Sequence, residues 1–266
     1  MRPTESRRSP SPALLARQMI PCIDVREGAA TSPSGAGGLS DPCDVVGIAA
    51  GYARDGAEQV FLDIVDAWPE SGYLPGLLGE LKATGLDLLV SVQHGTLPSP
   101  RTCAEILTAG ATAVSVSTSM VAEPDRVAQT AQLIGPRRLM GVVNCSGDRR
   151  HGWHTLVDGG ATPTTVDALH VARRFGDLKV RALLANSVDR EGTGSGYDLD
   201  LTRAMARASG LPAIASGGAG SAEQLADALR DGDAAHVLVN DVVHSGRETI
   251  GSLSEALCRC LADEAD

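Results

Sequence analysis

Aromatic residues are scarce: two Phe, two Trp and three Tyr make up 3% of the 266 residues. Any core must therefore be built from Ala, Val, Leu and Ile, within an apolar content of 43%. Lysine is rarer still, with Lys82 and Lys179 alone, and the formal charge is −10. That balance excludes a basic face for nucleic acid. No run reaches the roughly 18 consecutive apolar residues of a membrane span. The opening stretch MRPTESRRSPSPALLAR holds Arg, Ser and Pro but no apolar run of the length a secretory signal needs. Residues 1–17 read as a disordered tail, 18–266 as one domain, and the setting as cytoplasmic. The six cysteines (Cys22, Cys43, Cys103, Cys145, Cys258, Cys260) are too few and scattered for a disulfide framework. His151 and His154 have no third ligand close in sequence, so no metal is expected. No cofactor is expected either.

What is present is an alternation of short β-branched runs with longer Ala/Leu-rich segments. Strands are expected at 19–25 (MIPCIDV), 60–64 (VFLDI), 88–92 (LLVSV), 113–117 (AVSVS), 139–143 (LMGVV), 182–186 (ALLAN), 213–216 (AIAS) and 236–240 (HVLVN). Helical patterns fall between them, at about 43–55, 75–84, 101–109, 123–133, 165–175, 199–208, 221–230 and 249–262. The strand runs are apolar on both faces, as in parallel strands covered on each side. DGAEQVFLD, AGATAVSVS and DGDAAHVLV repeat one junction, in which a helix ends at Gly and a strand begins. Eight such units in about 250 residues fit a single-domain α/β (β/α)8 TIM barrel. A doubly wound open sheet is the runner-up, but its Gly-rich turn after the first strand is absent from IDVREG.

Such barrels carry their chemistry at the C-terminal ends of the strands. By alternation Ile20, Cys22 and Asp24 share one face. If that face points inward, Asp24 is a carboxylate at an apolar mouth, poised for proton transfer. ASGGAG (215–220) leads into SAEQ, a capping-box pattern, and its glycines with the helix start favour a phosphate. The polar loop NSVDREGTGSGYD (186–198) would add Glu191, Gly192 and Thr193 to a substrate or lid.

IPCIDV, VFLDI, NSVDREGTGSGYD and ASGGAG together resemble the cyclase subunit (HisF-type) of imidazole glycerol phosphate synthase, from about residue 13 to the C terminus. The resemblance implies a lyase of histidine biosynthesis. It would take ammonia from a partner glutamine amidotransferase and close an imidazole ring on a phosphoribulosyl formimino-carboxamide nucleotide. It implies two acid/base carboxylates, at the ends of barrel strands one and five. Asp24 matches the first. Ser146 stands at the second, with Asp148 two residues on and of the same strand parity. Carried over onto this chain, the phosphate and substrate contacts become Gly95, Ser117, Thr118, Glu191, Gly192, Thr193, Gly217, Gly218, Asn240 and Asp241.

The departures are specific. The family's glycine triplet reads Gln93, His94, Gly95; its asparagine is Ser117; and residues 32–38 contain no loop lysine. At the base, Gln18, Ala113 and Arg181 replace Arg, Lys and Glu of the ammonia gate, Glu58 matches, and Thr112 replaces an aspartate that signals to the glutaminase. Three readings follow: a working cyclase using Asp24 with Asp148; a divergent sugar-phosphate or nucleotide enzyme with Asp148 or His94 as second group; or a phosphate-binding barrel without turnover. The partner is a small phosphorylated substrate, with no nucleic acid and no membrane.

Overall fold

The computed structural model describes residues 11–67 and 72–262. Eleven strands are numbered in chain order: β1 (Met19–Arg26), β2 (Ala29–Ala30), β3 (Gln59–Ile64), β4 (Asp87–Val92), β5 (Ala113–Val116), β6 (Leu139–Asp148), β7 (Gly152–Val157), β8 (Thr162–Asp167), β9 (Leu183–Ser187), β10 (Ala213–Ser216) and β11 (His236–Val239). Eight of them are parallel, in the order β5-β4-β3-β1-β11-β10-β9-β6. Pairing of Val114 with Leu139 and of Val116 with Gly141 joins β5 to β6 and closes the ring. The fold is a (β/α)8 barrel, not an open sheet.

The helices that return the chain between strands include α2 (Val45–Arg54), α3 (Leu74–Leu81), α4 (Pro100–Ala109), α6 (Pro124–Ile134), α7 (Ala168–Leu178), α8 (Leu199–Ser209), α9 (Ala222–Arg230) and α11 (Ile250–Ala262), with short α5 (Thr118–Ala122) and α10 (Asp241–His244) at strand ends. Their starts are written in side chains. Asp167 accepts from His170 N at 2.7 Å, Asp198 from Leu201 N at 2.9 Å, and Ser221 and Gln224 form a reciprocal capping box.

Strand alternation produces two cores. Ile20, Cys22, Phe61, Leu89, Ala113, Met140, Val142, Ala182, Leu184 and Ile214 fill the inside of the barrel. Their neighbours in sequence, among them Ile23, Leu62, Val90, Val114, Val143 and Leu183, face the helices. Few aromatics are needed because branched aliphatics fill the inner layers. Outside the ring, Phe175 on α7 packs against Gly141; a Cβ there would lie 2.8 Å from the Phe175 ring.

Three sequence expectations require correction. Residues 139–167 do not run from strand to loop to helix. β6 continues past the ring to Asp148 and folds back through β7 and β8 as an antiparallel extension, so α7 begins at Ala168 rather than near 165. The polar alternation of this segment, with no helix-like spacing, is the pattern of strands exposed on one face. Of the expected tail, Pro12–Ala16 form a short helix, α1, with Leu15 buried, while residues 1–10 lie outside the described residues. At the third helix-to-strand junction the left-handed residue is Asp233, with φ 55°, and not Gly232. Gly232 is needed for space instead, since a Cβ would sit 2.5 Å from the Ala228 carbonyl oxygen.

Candidate active site

The barrel's apolar filling ends at a polar layer. Parallel register places Asp24, Asp63 and Ser91 side by side on β1, β3 and β4. Asn144, Asn186 and Ser216 are aligned the same way on β6, β9 and β10. All have the parity of the inward-facing core residues two positions earlier, so they line the C-terminal mouth. Asp24 is half-buried, as its position predicts. Its Oδ2 accepts from Asn240 Nδ2 at 3.1 Å, and the Cys22 thiol donates to Oδ1 at 3.7 Å. Burial pushes the Cys22 thiol up, and the carboxyls of Asp24 and then Asp63 add to the rise, so it stays neutral.

Across the mouth, β6 is four strands from β1 in either direction round the ring. Ser146 at its end donates to both Asp189 oxygens, at 2.8 and 2.9 Å, and Gly147 N reaches Asp189 Oδ2 at 2.9 Å. Asp189 itself comes from the loop after β9. Asp148 behaves differently. It sits at the exposed tip of the β6–β7 hairpin and accepts from Arg150 N, His151 N and His151 Nδ1, at 2.8 to 3.0 Å. Those bonds, the His151 backbone first, hold its carboxyl below the usual range. It is four residues beyond Asn144, about 13 Å of extended chain.

Between these poles Asn186 Nδ2 donates to Asn144 Oδ1 at 2.9 Å and to Glu191 Oε1 at 2.6 Å, which draws Glu191 to the mouth. Gly192 and Thr193 lie beyond it, exposed, with Thr193 Oγ1 closing a turn onto Arg190 O at 2.7 Å. The glycine pair after β10 has a structural duty. Gly217 and Gly218 have φ of +88° and +97°, and a Cβ on them would stand 2.4 Å from Ser187 O and 2.5 Å from Gly196 O. Gly196 N closes the seam by donating to Gly218 O at 2.8 Å. The two glycine-rich loops of the sequence are thus packed against each other.

On the far flank Gly95 is exposed with open space around it, and His94 is exposed beside it. Ser117 precedes α5, while buried Thr118 accepts from Asp158 N at 2.9 Å. Asp158 belongs to the β7–β8 turn, which also brings Gly159 against Gln93 and Gly160 against Asn144 and Val188. That turn therefore reaches over the mouth from β4 to β9. At the eighth strand, the Asp241 carboxylate is bonded to Arg247. The loop after β1 is anchored on α10: His244 Nε2 meets Ser32 O at 2.9 Å, and Gly35 N donates to His244 O at 2.8 Å.

Sequence reasoning missed Asp63, Asp189, Asn144 and Asn186. Asp63 had a signal, because LDI in VFLDI repeats the parity of IDV in the first strand. Asp189 had none, since its partner Ser146 is 43 residues away. A cavity of about 850 Å³ opens beside the mouth and is lined by Asp148, Arg149, Asp189, Arg190, Asp198 and Asp200 among others. At the opposite end of the barrel, Arg181 Nη2 is paired with Asp87 Oδ2 at 2.5 Å, and Thr112 Oγ1 donates to Asp87 Oδ1 at 3.2 Å.

The family model described as "Histidine biosynthesis protein" matches residues 18–249. The chain belongs to that family. It is 36% identical over 246 residues to the imidazole glycerol phosphate synthase subunit HisF of Symbiobacterium thermophilum, covering 91% of this chain and 96% of the relative. The subunit of the same name from Prochlorococcus marinus is 34% identical over 253 residues, 92% of this chain and 96% of the relative. The HisF-type resemblance therefore extends over nearly the whole barrel. Among the described residues no helix is long and apolar enough to cross a membrane.

Proposed function

We propose that the protein is a cyclase-type lyase that closes an imidazole ring on a phosphorylated ribulosyl nucleotide, with Asp24 as its principal acid/base. The observation carrying this reading is the Asp24 carboxylate at the barrel mouth, oriented by Asn240, in a chain 36% identical to a HisF subunit. Ring closure moves protons on opposite sides of one substrate, so it needs a second group across the mouth. Ser146 alone titrates far too high for that role. The Ser146–Asp189 pair supplies a carboxylate at the same pole, four strands round from Asp24. Asp148, bound into the hairpin turn, is the weaker choice.

The loops after β4 and β5 (Gly95, Ser117, Thr118) and after β9, β10 and β11 (Glu191, Gly192, Thr193, Gly217, Gly218, Asn240, Asp241) flank the mouth on opposite sides. A substrate with a phosphate at each end would span them. The relatives' name, a synthase subunit, supports a second chain, which the family resemblance makes a glutamine amidotransferase at the base. The Arg181–Asp87 pair stands there in place of the family's gate, which favours ammonia arriving from solution.

A second reading is a different phosphorylated-sugar or nucleotide enzyme on this barrel. Its specific support is the Asp158–Thr118 bond, which ties the β7–β8 turn against the loop that would otherwise meet a phosphate. The test is to mix the purified protein with the phosphoribulosyl formimino-carboxamide nucleotide and excess ammonium salt and follow loss of its absorbance. Turnover abolished by Asp24→Asn supports the cyclase. No turnover from folded protein overturns it and leaves the second reading.

A further inference from the structure

Asp63 is a mouth carboxyl to which the family resemblance gives no role. It is half-buried, but its Oδ1 is sealed from solvent and has no hydrogen-bond partner among the described residues. Its Oδ2 accepts from Gln93 Nε2 at 2.8 Å. On the neighbouring strand, one register step away, stands Asp24, likewise held through one oxygen by a carboxamide, that of Asn240. Adjacent strands are about 4.8 Å apart, so two inward carboxyls in register cannot both ionise without repulsion. The environment distinguishes them. Asp24 has both oxygens engaged by donors, whereas Asp63 presents one bare oxygen to a sealed space, which penalises its charged form.

We propose that Asp63 is the positioning partner of Asp24: the two carboxyls share one proton, held on Asp63, which leaves Asp24 as the ionised, proton-accepting member. Ionisable groups act on Asp63 from each side. Asp24 faces it from β1, with the Cys22 thiol one layer below, and Glu191 approaches from the loop after β9; Ser91 on β4 and Gln93 just after it contribute only neutral donors. Burial pushes the Asp63 carboxyl up to about 7, Gln93 pulls it back down, and the charges of Asp24 and Glu191 add to the rise. Catalysis would then see a single anion at this pole below neutral pH and two above it.

The inference rests on reading Asp24 as the acid/base, yet its first test does not need turnover. In ligand-free protein with ¹³C-labelled aspartate, one carboxyl resonance should titrate near pH 7 and vanish in Asp63→Asn. Asp24→Asn should lower that midpoint by removing the negative neighbour, and Gln93→Leu should raise it by removing a donor, so the assignment survives if Asp63→Asn does not fold. All aspartates titrating below about pH 5, or a high step that persists in Asp63→Asn, overturns the proposal. If the nucleotide is turned over, the inflection near pH 7 in kcat/KM should disappear in Asp63→Asn. A uniform drop at every pH with the inflection intact would mark Asp63 as merely structural. Absence of turnover with the resonance present would remove the cyclase reading and leave the shared proton standing.

Discussion

Ser146 gives its hydroxyl hydrogen to Asp189, whose two oxygens lie 2.8 and 2.9 Å away, and the neighbouring Gly147 amide binds the same carboxylate. A carboxylate is thereby brought from one strand end to the tip of another. Ser146, which stands where the family resemblance implies an acid, is thus provided with a carboxylate from the loop after β9. If Asp189 serves as the second proton-transfer group, Asp189→Asn should lower kcat by about 10²-fold or more, the usual worth of a positioned acid or base. Ser146→Ala removes one of the two groups that hold the carboxylate and should cost about tenfold or less, mostly by misplacement. Equal losses in steady-state kinetics of the two variants would mean that Ser146 orients the substrate and Asp189 merely orients Ser146.

Asp24 and Asn240 test the opposite pole. Asp24→Asn keeps the size of the side chain and the bond to the Asn240 region but cannot take a proton, so turnover should fall by about 10³-fold or more. Binding of a phosphorylated product should change little in calorimetry. Asn240→Ala removes one donor that orients Asp24; its loss should be smaller, about tenfold, and appear in kcat rather than in product binding. A full loss of binding in Asp24→Asn would instead make Asp24 a ligand anchor.

The barrel was legible because its rule is local. Each inward apolar residue sits two positions from the next, and strands such as IDV and LDI carry their polar end in the same phase. That phase puts Asp24 on one face with Ile20 and Cys22, and the barrel turns that face inward. The β7–β8 extension was not legible, since its strands are half-exposed and pair only with β6 and with each other. The partners of Ser146, Thr118 and Asp241 were equally hidden: each is set by where a loop returns, which no spacing in sequence encodes. Asp148 had the right parity but the wrong height, because β6 runs on past the ring before it turns.

The glycines after β10 suit a phosphate by their sequence, and their packing adds a stability prediction. A methyl group on Gly218 would lie 2.5 Å from the Gly196 carbonyl oxygen at a backbone φ of +97°. Both terms oppose Gly218→Ala, at about 1–3 kcal/mol for the strained backbone alone. Thermal unfolding should therefore move down by several degrees, and the seam between the loops should open. Hydrogen exchange at the Gly196 amide, which donates to Gly218 O, would report that opening directly. Unchanged Tm and exchange would show that the loop relaxes around the methyl at no cost.

Asp63 also makes a prediction about stability that has a definite sign. Its carboxyl is pushed from 3.8 up to about 7 by burial, so the native state binds this proton more tightly than the unfolded chain. Such a group is most favourable to folding below pH 4, and its benefit is lost as pH rises through about 7. Above that, folding must hold an ionised Asp63 beside Asp24. Asp63→Asn never ionises and keeps an oxygen for Gln93 to donate to, so it escapes that loss. Denaturant unfolding should find the variant gaining on the wild type from pH 4.5 upward and levelling off above about pH 7.5. The full shift corresponds to about 4 kcal/mol, and partial exposure reduces the expected gain to about 1–2 kcal/mol. A difference between the two proteins that is constant with pH would mean that Asp63 titrates in the native barrel as it does in the unfolded chain.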